Sequence, residues 1–184
     1  MISNKAKSLQ PIGGQSMLTR IYETVSSITN ETSFVVGYEK EAIIKETKKF
    51  VGEINICVQE KPIGTADAVK AALNNISPDS QTLILYGDVP LIKLQTLKKM
   101  LSANEDSLTI LTTELTDPTG YGRVKKDDAG LALSIVEEKD ATSEEKKIKE
   151  IFTGVLCCKK TLLEEAISQV DNHNAAGEYY LTDI

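Results

Sequence analysis

Apolar side chains recur at Met17, Leu18, Ile21 and Val25, a spacing that puts them on one helical face, so a helix is expected from Ser16 to Ser27 behind the turn Pro11-Ile12-Gly13-Gly14. Ser33-Phe34-Val35-Val36-Gly37 is a short β-branched run and reads as a strand; Glu39 to Phe50 reads as a charged helix and Ile54 to Val58 as a second strand. A turn at Pro62-Ile63-Gly64-Thr65 leads into a helix from Thr65 to Leu73 and then the run Thr82-Leu83-Ile84-Leu85-Tyr86. That run lacks alternation, the pattern of a strand covered on both faces in a parallel sheet. Helix Leu94 to Ser102 and strand Ser107 to Thr113 extend the series. The pattern then changes. Gly122 to Lys126 and Leu131 to Glu137 alternate around Asp127-Asp128-Ala129-Gly130, as the arms of a hairpin do. Thr142 to Glu150 is highly charged and reads as a solvated helix or loop, Ile151 to Cys158 as a strand and Leu162 to Val170 as an amphipathic helix. The predicted architecture is a three-layer α/β domain with a mostly parallel sheet and a hairpin-bearing insertion.

Composition narrows the function classes. The 184 residues suit one domain with a sizeable core. With 21 Lys and Arg against 27 Asp and Glu, the net charge of -6 and the lack of a basic run argue against nucleic acid as a partner. No apolar stretch approaches bilayer length and the N-terminal residues lack an apolar signal core, so membrane and secretory readings fall away. Three cysteines, two of them adjacent at 157 and 158, do not suggest a disulfide framework, which points to the cytoplasm. The single histidine, His173, rules out chemistry that needs two imidazoles.

Ligands of open α/β sheets gather beyond the carboxyl ends of the strands, and several chemistry-bearing residues fall there. Asp88 follows the apolar strand through Tyr86-Gly87. Its carboxylate suits a hard cation such as Mg²⁺, with Gly87 leaving room for a ligand, or caps the turn before Pro90. Gln59 ends another strand, and Gly64-Thr65 opens a helix whose free N-H groups suit an anion or a flat base edge, or Thr65 is an ordinary N-cap. Asp117-Pro118-Thr119-Gly120-Tyr121-Gly122-Arg123 lines a sugar pocket with its amides, or is a turn carrying a surface arginine. Glu137 accepts sugar hydroxyls or is a solvated strand-end carboxylate, and the tyrosines of Gly177 to Asp183 contact sugar or pack.

Five strings occur in order along nearly the whole chain: Gln59 with Gly64-Thr65-Ala66, Tyr86 to Leu91, Asp117 to Arg123, Val136 to Ala141, and Gly177 to Ile184. Together they resemble the pyrophosphorylase domain of the bacterial bifunctional N-acetylglucosamine-1-phosphate uridyltransferases. The resemblance implies a nucleotide-diphospho-sugar transferase fold and formation of UDP-N-acetylglucosamine and pyrophosphate from UTP and the sugar phosphate, with Mg²⁺ as cofactor. It also implies roles by position. Lys7 contacts nucleotide phosphate; Gln59, Gly64 and Thr65 hold the uracil, beside Tyr86 and Gly87; Asp88 is the metal ligand; and Gly122, Glu137, Tyr180 and Thr182 line the sugar pocket. Two positions depart from the family: Ala6 replaces its usual proline, and Phe152 replaces an asparagine that binds sugar. Phe can make none of the amide's hydrogen bonds, so a related enzyme for another sugar-1-phosphate is the neighbouring expectation.

Against the family, residues 1 to 184 are expected to be a partial nucleotidyltransferase domain. The first strand, the Gly-rich phosphate loop, a second metal ligand and the β-helix acetyltransferase domain are all expected to be absent. A central strand's absence leaves the facing edges of Ser33 to Val36 and Thr82 to Tyr86 either closing on each other or staying apart. The expected consequence is low turnover or a non-catalytic binding remnant, with homo-oligomerisation open.

Overall fold

The computed structural model describes residues 6–37, 39–50, 52–103 and 106–184. A small antiparallel hairpin comes first, β1 (Pro11–Ile12) and β2 (Gln15–Ser16), where the sequence suggested only a turn. Helix α1 (Met17–Val25) follows, capped by the Ser16 hydroxyl, which accepts from the Thr19 N-H at 3.1 Å. The helix buries Leu18, Ile21 and Val25 as the spacing foresees, together with Tyr22, while Met17 stays half-buried.

Strand β3 (Glu31–Val36), helix α2 (Lys40–Thr47) and strand β4 (Glu53–Val58) form a parallel strand-helix-strand unit, in register from Glu31 opposite Glu53 to Val36 opposite Val58. Helix α3 (Thr65–Ala72), strand β5 (Gln81–Leu85), helix α4 (Leu94–Leu101) and strand β6 (Thr109–Glu114) continue the alternation. Then come the predicted hairpin, β7 (Arg123–Lys126) and β8 (Ala132–Val136), the long strand β9 (Glu150–Lys159) and helix α5 (Lys160–Gln169). The charged stretch before β9 holds a short 3₁₀ turn at Glu145–Lys147.

Strand β9 organises the larger sheet. It lies between β5 and β6 and pairs antiparallel with both, so those two strands share a direction, and it also meets β7 at Ile151 opposite Arg123. Successive side chains of a strand point to opposite faces, and β9 uses both. Val155 and Cys157 pack with Ile21, Val25, Leu97 and Met100 of α1 and α4. Phe152, Leu156 and Cys158 pack on the other side with Val69 of α3 and Leu163 and Ile167 of α5. The result is the expected helix-sheet-helix layering.

The two ladders do not join. Among the described residues β3 pairs only with β4 and β5 only with β9, leaving one edge of each unpaired. A mainly apolar cleft of about 590 Å³ lies there, lined by Ser33, Phe34 and Val35 of β3 and by Thr82, Leu83 and Ile84 of β5. This is why β5, expected to be covered on both faces, buries only Thr82 fully. The Thr82 hydroxyl, itself buried, has no hydrogen-bond partner.

Candidate functional site

The cleft opens at the end of β5, where Ser8, Thr65, Tyr86 and Gly87 meet. Lys7 stands in a 3₁₀ turn (Lys7–Leu9) and forms an ion pair with Asp88, just beyond β5. The two residues are 81 positions apart in sequence, and the fold places the expected phosphate contact against the expected metal ligand. The Asp88 Oδ2 atom thus faces Lys7 across the site. At Gly87 a Cβ would lie 3.3 Å from the Ser8 Cβ, so the glycine also lets the Lys7 turn pack closely.

Gln59 leaves β4 with its N-H donating to Val36 O at 2.8 Å. Its side-chain Nε2 donates to Gly64 O and to Asp67 Oδ2, each at 2.9 Å. Asp67 was not foreseen from the sequence; the available signal was an acid in the first turn of the helix that follows Gln59.

Gly64 has φ +139°, and a Cβ on it would fall 2.1 Å from Tyr179 O. The close approach that requires glycine is thus to the chain's own C-terminal segment. Ala66 N-H donates to Tyr179 O at 2.9 Å and Tyr179 N-H to Ile63 O at 2.8 Å. Thr65 is not the N-cap of α3; Gly64 is, and it offers no side-chain cap. The Thr65 hydroxyl instead accepts from Leu181 N-H at 2.8 Å and bonds the Tyr86 hydroxyl. Burial pushes the Tyr86 phenol up from its ordinary value, the Thr65 bond opposes this, and the nearby Glu137 and Asp88 charges add to it. Tyr86 thereby connects the Asp88 side of the site to the Glu137 side.

Glu137 follows β8. Thr182 Oγ1 donates to Glu137 Oε1 at 2.9 Å, and a Cβ on Gly122 would meet the same oxygen at 3.4 Å and Ile135 Cγ2 at 2.8 Å. Burial raises the Glu137 carboxyl, the Thr182 bond opposes it, and Asp183 and Asp140 push it higher. Tyr180 joins Glu137, Asp140 and Asp183 in lining a second, more polar cavity of about 410 Å³. The expected sugar residues Gly122, Glu137, Tyr180 and Thr182 do therefore gather at one end of the hairpin.

Arg123 is not a surface arginine. It is 1% exposed, donating through Nη1 to Tyr121 O and through Nη2 to Glu138 Oε2 at 2.7 Å. Gly120 N-H donates to that same Glu138 oxygen at 3.1 Å, so the loop before β7 is fixed from beneath. Phe152, at the family's asparagine position, is 6% exposed, lies edge-on to Tyr86 with ring centres 6.2 Å apart, and belongs to the core.

Among the described residues no three His, Cys, Asp or Glu side chains gather into a metal cage. A cation at Asp88 would take its remaining ligands from water and phosphate oxygens, a habit of Mg²⁺ rather than of Ca²⁺. No helix among the described residues is long and apolar enough to cross a membrane.

Comparison with known proteins places this geometry. The "Bifunctional protein GlmU" of Dechloromonas aromatica (strain RCB) is 40% identical over 184 residues, all of this chain and 40% of the relative. Its namesake in Neisseria meningitidis serogroup C (strain 053442) is 42% identical over 185 residues, again 40% of its length. The chain thus spans well under half of these relatives. Among solved structures, UDP-glucose pyrophosphorylase complexed with UDP-glucose superposes with a TM-score of 0.74 at 12% identity, covering 96% of this chain and 76% of that one. HddC from Yersinia pseudotuberculosis complexed with GMP-PN gives 0.68 at 18% identity, covering 98% and 75%. These likenesses establish the nucleotide-diphospho-sugar transferase fold. The nucleotidyl transferase family model matches residues 2–184, and a match over that length makes this chain a member of the nucleotidyl transferase family.

Proposed function

We propose that this chain is the nucleotidyltransferase part of a uridylyltransferase that forms UDP-N-acetylglucosamine and pyrophosphate from UTP and N-acetylglucosamine-1-phosphate. The observation that carries the reading is the Lys7–Asp88 pair at the end of β5, in a fold that also joins Gln59 to Gly64 and Glu137 to Thr182. The resemblance to GlmU relatives at 40% and 42% identity supplies the choice of nucleotide and sugar.

In this reaction a phosphate oxygen of the sugar-1-phosphate attacks the α-phosphorus of UTP in line. The bond from that phosphorus to the bridging oxygen breaks, and pyrophosphate leaves with the electron pair. No covalent enzyme intermediate is required, so the protein's task is to position two anions and to offset their charge. The Lys7 ammonium would lie against the nucleotide phosphates. Asp88 would hold Mg²⁺, which when bound offsets phosphate charge. Gln59 and the first N-H groups of α3, at Gly64 and Thr65, would meet the uracil edge. Tyr86 and Gly87 form the floor between the two substrates. Glu137 and the Gly122 backbone would take sugar hydroxyls, with Thr182 orienting the carboxylate and Tyr180 closing the far wall. Both substrates are water-soluble metabolites, and the reading places the protein in the cytoplasm.

One observation favours a neighbouring reading. Phe152 turns into the core beside Tyr86 and offers no hydrogen bond to an acetamido group, so a different sugar-1-phosphate suits this pocket as well. Pyrophosphate release measured with UTP, dTTP and CTP against several sugar phosphates decides between them. The expected result is Mg²⁺-dependent release with UTP that Asp88→Ala lowers by roughly 10²-fold or more. If UTP neither binds nor turns over with any sugar phosphate, the proposal is wrong.

A further inference from the structure

We propose that Asp67 is a specificity-determining residue that fixes the Gln59 amide so that only its carbonyl oxygen faces an incoming base. The inference rests on the base-binding reading of Gln59 given above and extends it to a residue outside the pocket lining.

An amide carries two donor hydrogens on nitrogen and two acceptor lone pairs on oxygen, and which end faces a ligand is set by its surroundings. At Gln59 both donors are taken. Nε2 donates to Gly64 O and to Asp67 Oδ2, each at 2.9 Å. One acceptor is a carbonyl and the other a carboxylate, and neither has a hydrogen to return. Rotating the amide by half a turn would set Oε1 against two oxygens, so the orientation is chemically forced. The Oε1 end lies beside Gly37, whose missing side chain leaves the oxygen uncovered from that side: a Cβ there would come to within 3.9 Å of it, and Gln59 is only half-buried.

The presented group is therefore an acceptor alone. A base whose ring nitrogen carries a hydrogen next to a carbonyl, as uracil and thymine do, can donate to it while its carbonyl takes an N-H at the start of α3. Cytosine brings a bare ring nitrogen to the same place and sets lone pair against lone pair. Asp67 sits in the first turn of α3, where the helix dipole favours a carboxylate, and it holds the amide without reaching the nucleotide itself.

The test measures equilibrium binding of UTP and CTP with Mg²⁺ to the full chain carrying Asp67→Asn, Asp67→Ala or Gln59→Ala, after circular dichroism shows that each variant is folded. Asp67→Asn can accept from Gln59 Nε2 or donate to Oε1, so the amide is no longer held one way, and Asp67→Ala removes the partner outright. Both should narrow the preference for UTP over CTP by about tenfold, the factor lost with one charge-assisted hydrogen bond, with sugar-phosphate binding unchanged. A merely structural role would weaken UTP and CTP equally and leave their ratio intact. If Gln59→Ala narrows the ratio and the Asp67 variants do not, the role of Asp67 is refuted while the base-binding reading stands. An unchanged ratio in Gln59→Ala refutes that reading itself, and this proposal falls with it.

Discussion

Replacing Gly64 by alanine tests how the C-terminal segment is tied to the start of α3. The added Cβ would lie 2.1 Å from Tyr179 O and 2.5 Å from Tyr179 N, both backbone atoms, so no side-chain rotation relieves the contact. The residue also sits at φ +139° and ψ 169°, where a side chain costs about 1–3 kcal/mol. The protein can respond in two ways. If the segment stays, it must withdraw by more than 1 Å, a shift of roughly the size needed to restore van der Waals contact, which breaks the Ala66 bond to Tyr179 in addition to the strain. If it leaves, it surrenders the bonds Ala66 to Tyr179, Tyr179 to Ile63 and Leu181 to Thr65, at about 1 kcal/mol each. Both routes cost about 3 kcal/mol, equivalent to a fall in Tm of roughly 6–12 °C for a chain this long. Thermal denaturation reads the total, and hydrogen exchange at the Tyr179 and Leu181 amides identifies the route. A Gly64→Ala protein that melts within about 2 °C of the parent, with those amides still protected, would refute the reasoning.

Other expectations are briefer. Glu137 has its carboxyl raised from 4.5 chiefly by burial, so the folded state disfavours the charged form. The stability this group contributes is full below 4.5 and is lost as pH rises through the folded value, so Glu137→Gln should gain on the parent as pH rises above 4.5 in urea unfolding. Arg123→Met keeps the bulk but removes the donors to Tyr121 and Glu138; hydrogen exchange at Gly120 should quicken, and the Glu138 carboxyl, now held low by Arg123, should rise in an NMR titration. Cys157 and Cys158 are buried with both thiols raised by burial, Cys158 to about 11, so iodoacetamide at neutral pH should label neither until the protein unfolds.

The alternation of strand and helix was legible because burial imposes a local period, and the helices at Met17, Thr65, Leu94 and Lys160 start within two residues of where the apolar spacing put them. The first hairpin was legible too, since Gly13-Gly14 between two short arms is a two-residue turn signal that was read only as a turn. Candidate site residues could be picked out of the sequence, but their contacts could not. Thr65 looks like a cap, yet its hydroxyl answers an N-H 116 positions away. Gly64 and Gly87 look like room for a ligand, and nothing local announces that they also let Tyr179 and Ser8 approach. Arg123 looks exposed because nothing nearby in sequence announces that Glu138 will return to meet it. Partners this remote leave no periodic trace, and only the fold brings them together.

The placement of β9 also determines the order in which the sheet can be built. Strands β5 and β6 have no partner in each other; each waits for β9, and Gln81 must find Lys159 across most of the second half of the chain. The β1–β2 and β7–β8 hairpins and the β3–β4 pair can form beforehand from nearer neighbours. During synthesis the larger sheet must stay unassembled until residue 159 has left the ribosome, with the apolar edges of β5 and β6 exposed meanwhile. Closure over such sequence distances slows the folding of a domain of this size.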